Sequence, residues 1–230
     1  AKFFLNSWYL LQGSIAQGGA SLLTPWTSST NGSIFITPLP AMIDFDPTAS
    51  RSIGNINQLT YPWWRNRTKT AVITSSSNAS AFLMEADDIY NNCSKGSDGQ
   101  PNLILVDQTT FQLWRACYFQ QYRTQAESDA NYPFPNFKFN NARVVWDEFV
   151  PDAYTGIAST ATYGTGYFLN TRVMNMAIEE DTDMEMTEFQ KPPKGDSRLA
   201  HILIMCQLRT SHRSKLGVWG KIPRSLTLAV

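Results

Sequence analysis

The last third of the chain strings three strand patterns together, over residues Tyr167 to Met186, Leu199 to Leu208 and Leu216 to Ile222, with β-branched and aromatic residues between turn signals. The first half instead carries apolar residues at helical spacing. Phe4, Trp8, Leu11, Ile15 and Leu22 place one stripe along a helix spanning most of Lys2 to Leu22. Phe82, Leu83, Ala86, Ile89 and Tyr90 place another, with Ser77 or Asn78 as its cap and the KGSDGQP run from Lys95 as its stop. Phe111, Trp114 and Tyr118 mark a third, with Asp107 and Thr109 as candidate caps. Helices first and strands mostly later is an α+β order rather than an alternating α/β one.

Between these lie LILV (Leu103 to Val106), read as a short buried strand, and ARVVWDEFV (from Ala142), read as another. Asn31-Gly32 is a turn signal, SIFITPLPAMI after it reads as a short extended segment leading into a Pro-punctuated loop, and Asp44 to Asn57 reads as loop. NYPFPNFKF (Asn131 to Phe139) is a Pro-broken connection, and Asp152 to Thr165 a further loop. YPWWRNR (Tyr61 to Arg67) sets three large aromatics beside two guanidinium groups, and such aromatics are expected to bury.

The chain has 230 residues, 43% of them hydrophobic, enough for a sizeable core in one large domain or two modest ones. Its 19 basic and 19 acidic residues cancel, so no overall field draws it to nucleic acid or an anionic membrane. There is no apolar run of about 18 residues to make a membrane helix. Without a secretory pattern, synthesis in the cytoplasm is expected. Cys93, Cys117 and Cys206 are odd in number and far apart, which fits reduced thiols. The glycosylation-type triplets at Asn31, Asn66, Asn78 and Asn92 are read as chance products of a chain rich in Asn, Ser and Thr.

Catalytic signatures are missing. No Walker-type loop, HExxH or GxGxxG occurs, and His201 and His212 have no nucleophile motif beside them. Strand alternation puts Asp181, Asp183 and Glu185 on one face with Glu179, a row able to offer oxygen ligands to a hard cation. With no Gly-turned loop, the row is read as a solvated or subunit-facing acidic edge that resists unwanted strand pairing. Arg209, Arg213 and Lys215 form a basic group around a turn, read as pairing with such carboxylates on a neighbouring subunit in preference to nucleic acid phosphates.

Several segments, in order, resemble the major capsid proteins of tailed bacteriophages. The opening helix resembles the spine helix, and NGSIFITPLPAMI the loop and strand that follow it. YPWWRN resembles the aromatic-Arg segment before the axial region, and PNLILVDQTTFQLW its strand-then-helix unit. NARVVWDEFV, YFLNTR and the closing QLRTSHRSKLGVWGKI continue the series. The resemblance implies a long spine helix with part of a peripheral domain over 1–75 and an axial domain over 76–175. Strands over 176–230 then return through the peripheral domain to a C-terminal axial strand. It also implies a non-enzymatic subunit, with no catalytic residue, cofactor or metal, that assembles in the host cytoplasm and resides in the virion. Homo-oligomeric pentamers and hexamers would form an icosahedral shell around double-stranded DNA, which is contacted nonspecifically if at all. Portal, scaffolding or decoration proteins are the further partners, with no membrane.

Trp63, Trp64 and Arg65, together with the acidic and basic groups above, are the expected subunit contacts. The N-terminal arm and extended loop of that family precede the spine helix. The polypeptide is therefore expected to extend upstream of Ala1, by about 50 to 150 residues on the scale of domain-sized segments. Two other readings are an encapsulin-like compartment shell and a metal-dependent hydrolase built on Asp181, Asp183 and Glu185.

Overall fold

The computed structural model describes residues 38–74, 77–96, 99–121, 137–150, 163–190, 198 and 200–224. The expected opening helix, the Asn31-Gly32 turn and most of the Asp152 to Thr165 loop lie outside them. The chain is α+β. Six strands form one mixed sheet: β3 (Arg67–Thr70), β4 (Leu103–Val106), β5 (Phe137–Phe139), β6 (Ala142–Trp146), β7 (Tyr163–Leu169) and β10 (Gly217–Pro223). Their spatial order is β3-β10-β7-β4-β6-β5, with β10 parallel to β3, β4 parallel to β6 and the other neighbours antiparallel. A separate two-stranded ribbon pairs β8 (Met174–Met186) with β9 (Ile202–Thr210). A small hairpin joins β1 (Ser52–Ile53) to β2 (Ile56–Asn57) inside the expected Asp44 to Asn57 loop. Its two-residue turn, Gly54-Asn55, has φ of 61° and 63°, the left-handed backbone that suits a tight hairpin.

Two helices cover one face of the sheet. In α1 (Ala79–Ser94) the residues Ala79, Phe82, Leu83, Ala86, Ile89, Tyr90 and Cys93 recur every three or four positions and are all buried. Asn78 caps the helix, its side-chain oxygen accepting from the Ala81 N–H at 3.0 Å. In α2 (Gln108–Gln121), Phe111, Trp114 and Cys117 point inward. Asp107 caps α2 through Thr110 N (3.2 Å) and Thr110 Oγ1 (2.6 Å), and its carboxylate also accepts from Thr165 N on β7 and pairs with Arg224. One acid therefore ties a helix start to β7 and to the residue that follows β10.

The core under the helices is aromatic. Trp114 stands edge-on to Trp219 with ring centroids 5.9 Å apart, and Phe82 and Phe139 close on the same indole at 5.7 and 5.2 Å. Each such pair adds about 0.5–1.5 kcal/mol beyond its area burial. Because side chains alternate along a strand, the same sheet offers Tyr167, Leu169 and Val218 to its other face, where Leu39, Met42, Ile43, Val150 and Val173 cover them. Leu39 to Ile43 belong to SIFITPLPAMI, where the structure has a helical turn (Leu39–Met42) at the end of the expected extended segment.

The strand pattern expected without a break from Tyr167 to Met186 is interrupted at Asn170. Its Oδ1 accepts from Arg172 N at 3.1 Å and its carbonyl from Val173 N, so the polar side chain supplies a turn that period-two counting misses. Consequently YFL belongs to the centre of the sheet and the acidic stretch to the ribbon.

Candidate functional site

Only one of the three aromatics in YPWWRNR follows the expectation of burial. Pro62–Trp64 form a 3-10 turn that sends Trp64 inward, leaving Trp63 64% and Tyr61 47% exposed beside Leu59 at 51%. Adjacent residues in so tight a turn cannot share one direction. The Tyr61 and Trp63 rings meet at a tilt of 60° with centroids 6.1 Å apart, and Arg65 fastens the turn by donating from Nε to Gln58 O (2.7 Å) and from Nη2 to Leu59 O (3.1 Å). The product is a firm aromatic knob facing solvent, with the residue types that dominate interface energetics.

The basic group around residue 213 divides. Arg209 is exposed on β9, opposite Asn175. Arg213 is fully buried. Its guanidinium donates from Nε to Met42 O (2.8 Å), from Nη1 to Gln58 Oε1 (3.0 Å) and from Nη2 to Asn66 Oδ1 (2.9 Å). Burial lowers its pKa to about 10, which the nearby Asp44 carboxylate opposes, so it stays charged at neutral pH. Asp44, 1% exposed, accepts from Gln58 Nε2 (3.0 Å) and pairs with Arg51 at 3.2 Å, while Asn66 Nδ2 donates to Asp44 O at 2.7 Å. These five side chains form a closed internal clamp that pins the 44–66 segment to the turn between β9 and β10.

Lys215 is also turned inward. Its Nζ donates to Lys95 O at 2.6 Å, placing a cation at the C-terminus of α1, where the helix dipole favours it. The reading of Arg213 and Lys215 as surface groups for a neighbouring subunit is therefore corrected: both are occupied within their own chain. Asn66 is buried in the clamp, so its glycosylation-type triplet is not open to modification in the folded chain. Asp44 and Gln58 went unmarked in the sequence, and Asn66 was marked only for its triplet, because nothing local distinguishes them from surface polar residues of a loop.

Asp183 is exposed on β8. Asp181 and Glu185 lie on the same strand, and their side chains fall outside the described residues. The β8–β9 register shifts between Ile178 and Asp183 and again between Asp183 and Glu185. Each shift interrupts the alternation on which a single-faced acidic row depends. Among the described residues no group of three or more His, Cys, Asp or Glu is placed to hold a metal ion. None of the described helices is long and apolar enough to cross a membrane.

The thiols of Cys93 and Cys117 are buried, and burial pushes them up to about 12 and about 11. Neither has the accessible setting of a reactive thiolate. Compared with known proteins, the chain matches no family model and no curated protein sequence.

Proposed function

We propose that this chain is a structural subunit of an icosahedral bacteriophage capsid, many copies of which tile a shell around packaged double-stranded DNA. The fold meant is the tailed-phage capsid fold, with a spine helix, a peripheral domain and an axial domain. The observation that carries the reading is the path of the chain after β7. It leaves a compact sheet, runs out along β8, returns along β9 and re-enters the sheet between β3 and β7 as β10. A compact module bearing an extended arm suits a subunit that must reach its neighbours. Segments quoted for the capsid resemblance fall on whole units of the fold: PNLILVDQTTFQLW on β4 and α2, YFLNTR on β7 and its turn, the closing segment on β9, the clamp turn and β10.

The exposed knob of Leu59, Tyr61 and Trp63 and the apolar residues left open on and beyond β8, Ile178, Met186 and Phe189, supply surface that association would cover. Stable contacts of this kind bury about 1,200–2,000 Å². Head-to-tail repetition of such a contact closes into rings when the rotation allows, the geometry of pentamers and hexamers. In this reading assembly occurs in the host cytoplasm, the product is the virion capsid, and portal, scaffolding or decoration proteins join it.

The test is electron microscopy and light scattering of the chain expressed with whatever reading frame lies upstream of Ala1. Closed shells or rings are expected, and Trp63→Ala should weaken their formation while leaving the unfolding midpoint unchanged. A monodisperse monomer at high concentration, with no particles in the expressing cell, overturns the reading. Shells that enclose a protein cargo and never DNA would replace it with the encapsulin-like one.

A further inference from the structure

The inward turn of Arg213 and Lys215 leaves the acidic end of the ribbon without the basic partner that the sequence offered, and the sheet supplies another. The β5–β6 hairpin closes through Asn140-Asn141 with Phe139 opposite Ala142, and this register sets Lys138 directly across from Arg143. Both side chains are exposed, on the face away from the helices, because Ala142 and Val144 occupy the helix side. Like charges directly opposite one another on a sheet are destabilising. Neither residue forms an ion pair among the described residues. A lone edge lysine guards a strand against stray pairing. Arg143 is not on the edge strand: β6 lies between β4 and β5, so its charge adds repulsion without adding that protection.

The complementary charge is on β8. Glu179, Glu180 and Asp183 are exposed, and no ion pair joins them to a base among the described residues. From the root of the ribbon, where Met174 faces Thr210, Glu180 lies about 20 Å out at ~3.3 Å per residue. Since the chain is neutral overall, the excess of acid on the arm is matched by base elsewhere on the same polypeptide. That is the pattern of a surface that fits another copy of itself, and the absence of a net positive field speaks against a polyanion as occupant.

We infer that the Lys138–Arg143 edge of one copy receives the Glu179, Glu180 and Asp183 stretch of the ribbon of a second copy. The contact is head-to-tail, so it propagates around a ring. It rests on the shell reading in one respect, that the chain self-associates.

The experiment compares four proteins by sedimentation at low and moderate salt: wild type, Lys138→Glu with Arg143→Glu, Glu179→Lys with Glu180→Lys and Asp183→Lys, and the combined swap. All the sites are exposed, so thermal unfolding should report folded protein in each case. Each single-sided variant should weaken association at least about tenfold at low salt and less at moderate salt, because exposed charges are screened. The combined swap should recover association, which loss of a merely protective edge charge would not produce. A single-sided variant that associates like wild type overturns this interface and leaves the shell reading standing, whereas a wild type that never associates sinks both. If the edge variant loses only binding to duplex DNA while associating normally, the surface serves a polyanion and the inference is wrong.

Discussion

Replacing Arg213 with Met removes the centre of the internal clamp while nearly keeping its volume. Three acceptors lose their donor: Met42 O, Gln58 Oε1 and Asn66 Oδ1. Bonds from a charged donor contribute about 1.5–3 kcal/mol each, and the three do not add, because Asn66 Oδ1 keeps the Asp44 N–H at 3.1 Å. The Asp44 carboxylate is then left with Arg51 as its remaining cation, and removing one member of a buried charged network costs about 3–5 kcal/mol. Arg213→Met should therefore cost about 3–5 kcal/mol. In urea, with a slope of about 2–3 kcal/mol per molar, the midpoint should fall by about 1–2.5 M. Arg213→Lys keeps the charge but not the fork, and should fall between the two proteins. Arg209→Met, on the exposed strand, should stay within about 0.5 kcal/mol of wild type. A loss below about 1 kcal/mol for Arg213→Met would refute the reasoning, since the clamp would then be no more than a set of solvent-replaceable bonds. An assembly defect in Arg213→Glu would report unfolding, not an interface.

A methyl group added at Gly217 would meet Cys93 Sγ at 2.5 Å, so Gly217→Ala should cost about 1–3 kcal/mol by overpacking, and Cys93→Ala in the same chain should recover part of it in a double-mutant cycle of urea midpoints. The Cys93 thiol is raised from 9.0 to about 12 in the folded chain, so its stabilising contribution is complete below pH 9 and is lost as pH rises from there through 12. The slope is about 1.4 kcal/mol per pH unit, and alkaline urea titration of wild type against Cys93→Ala should show it as the difference between them. Asp107→Ala removes the α2 cap, the Thr165 bond and the Arg224 pair together and should cost about 2–4 kcal/mol, whereas Asp107→Asn, which can still cap, should cost about half as much by the same unfolding assay.

What the sequence made legible was local. The LILV strand has the bounds of β4, the stripe from Phe82 to Tyr90 is that of α1, and of its two candidate caps, Ser77 and Asn78, the second is used, because spacing, caps and breakers act within a few residues of one another. What stayed hidden depends on residues brought together from afar. Arg213 lies 171, 155 and 147 positions from the three residues it holds, and no window of sequence contains both ends. The basic edge was invisible for a different reason. Lys138 and Arg143 meet only in the register set by the Asn140-Asn141 turn, and a slip of one residue would send one of them to the opposite face. The register shifts along β8 have no sequence mark that strand alternation can read.

The position of β10 also governs when this molecule can fold. The last strand described in the chain sits inside the sheet, between β3, formed some 150 residues earlier, and β7. During synthesis, β3 and β7 therefore present open backbone edges, and Trp219 is missing from beneath Phe82 and Trp114, until the ribbon has been made and the chain has turned back. Closing a sheet through a late central strand is a long-range step, slow compared with helix formation, and it leaves an intermediate with exposed apolar surface. Ribosome pausing before residue 217 would hold the nascent chain in its most aggregation-prone form, and a chaperone that shields those two edges would act most strongly in that interval.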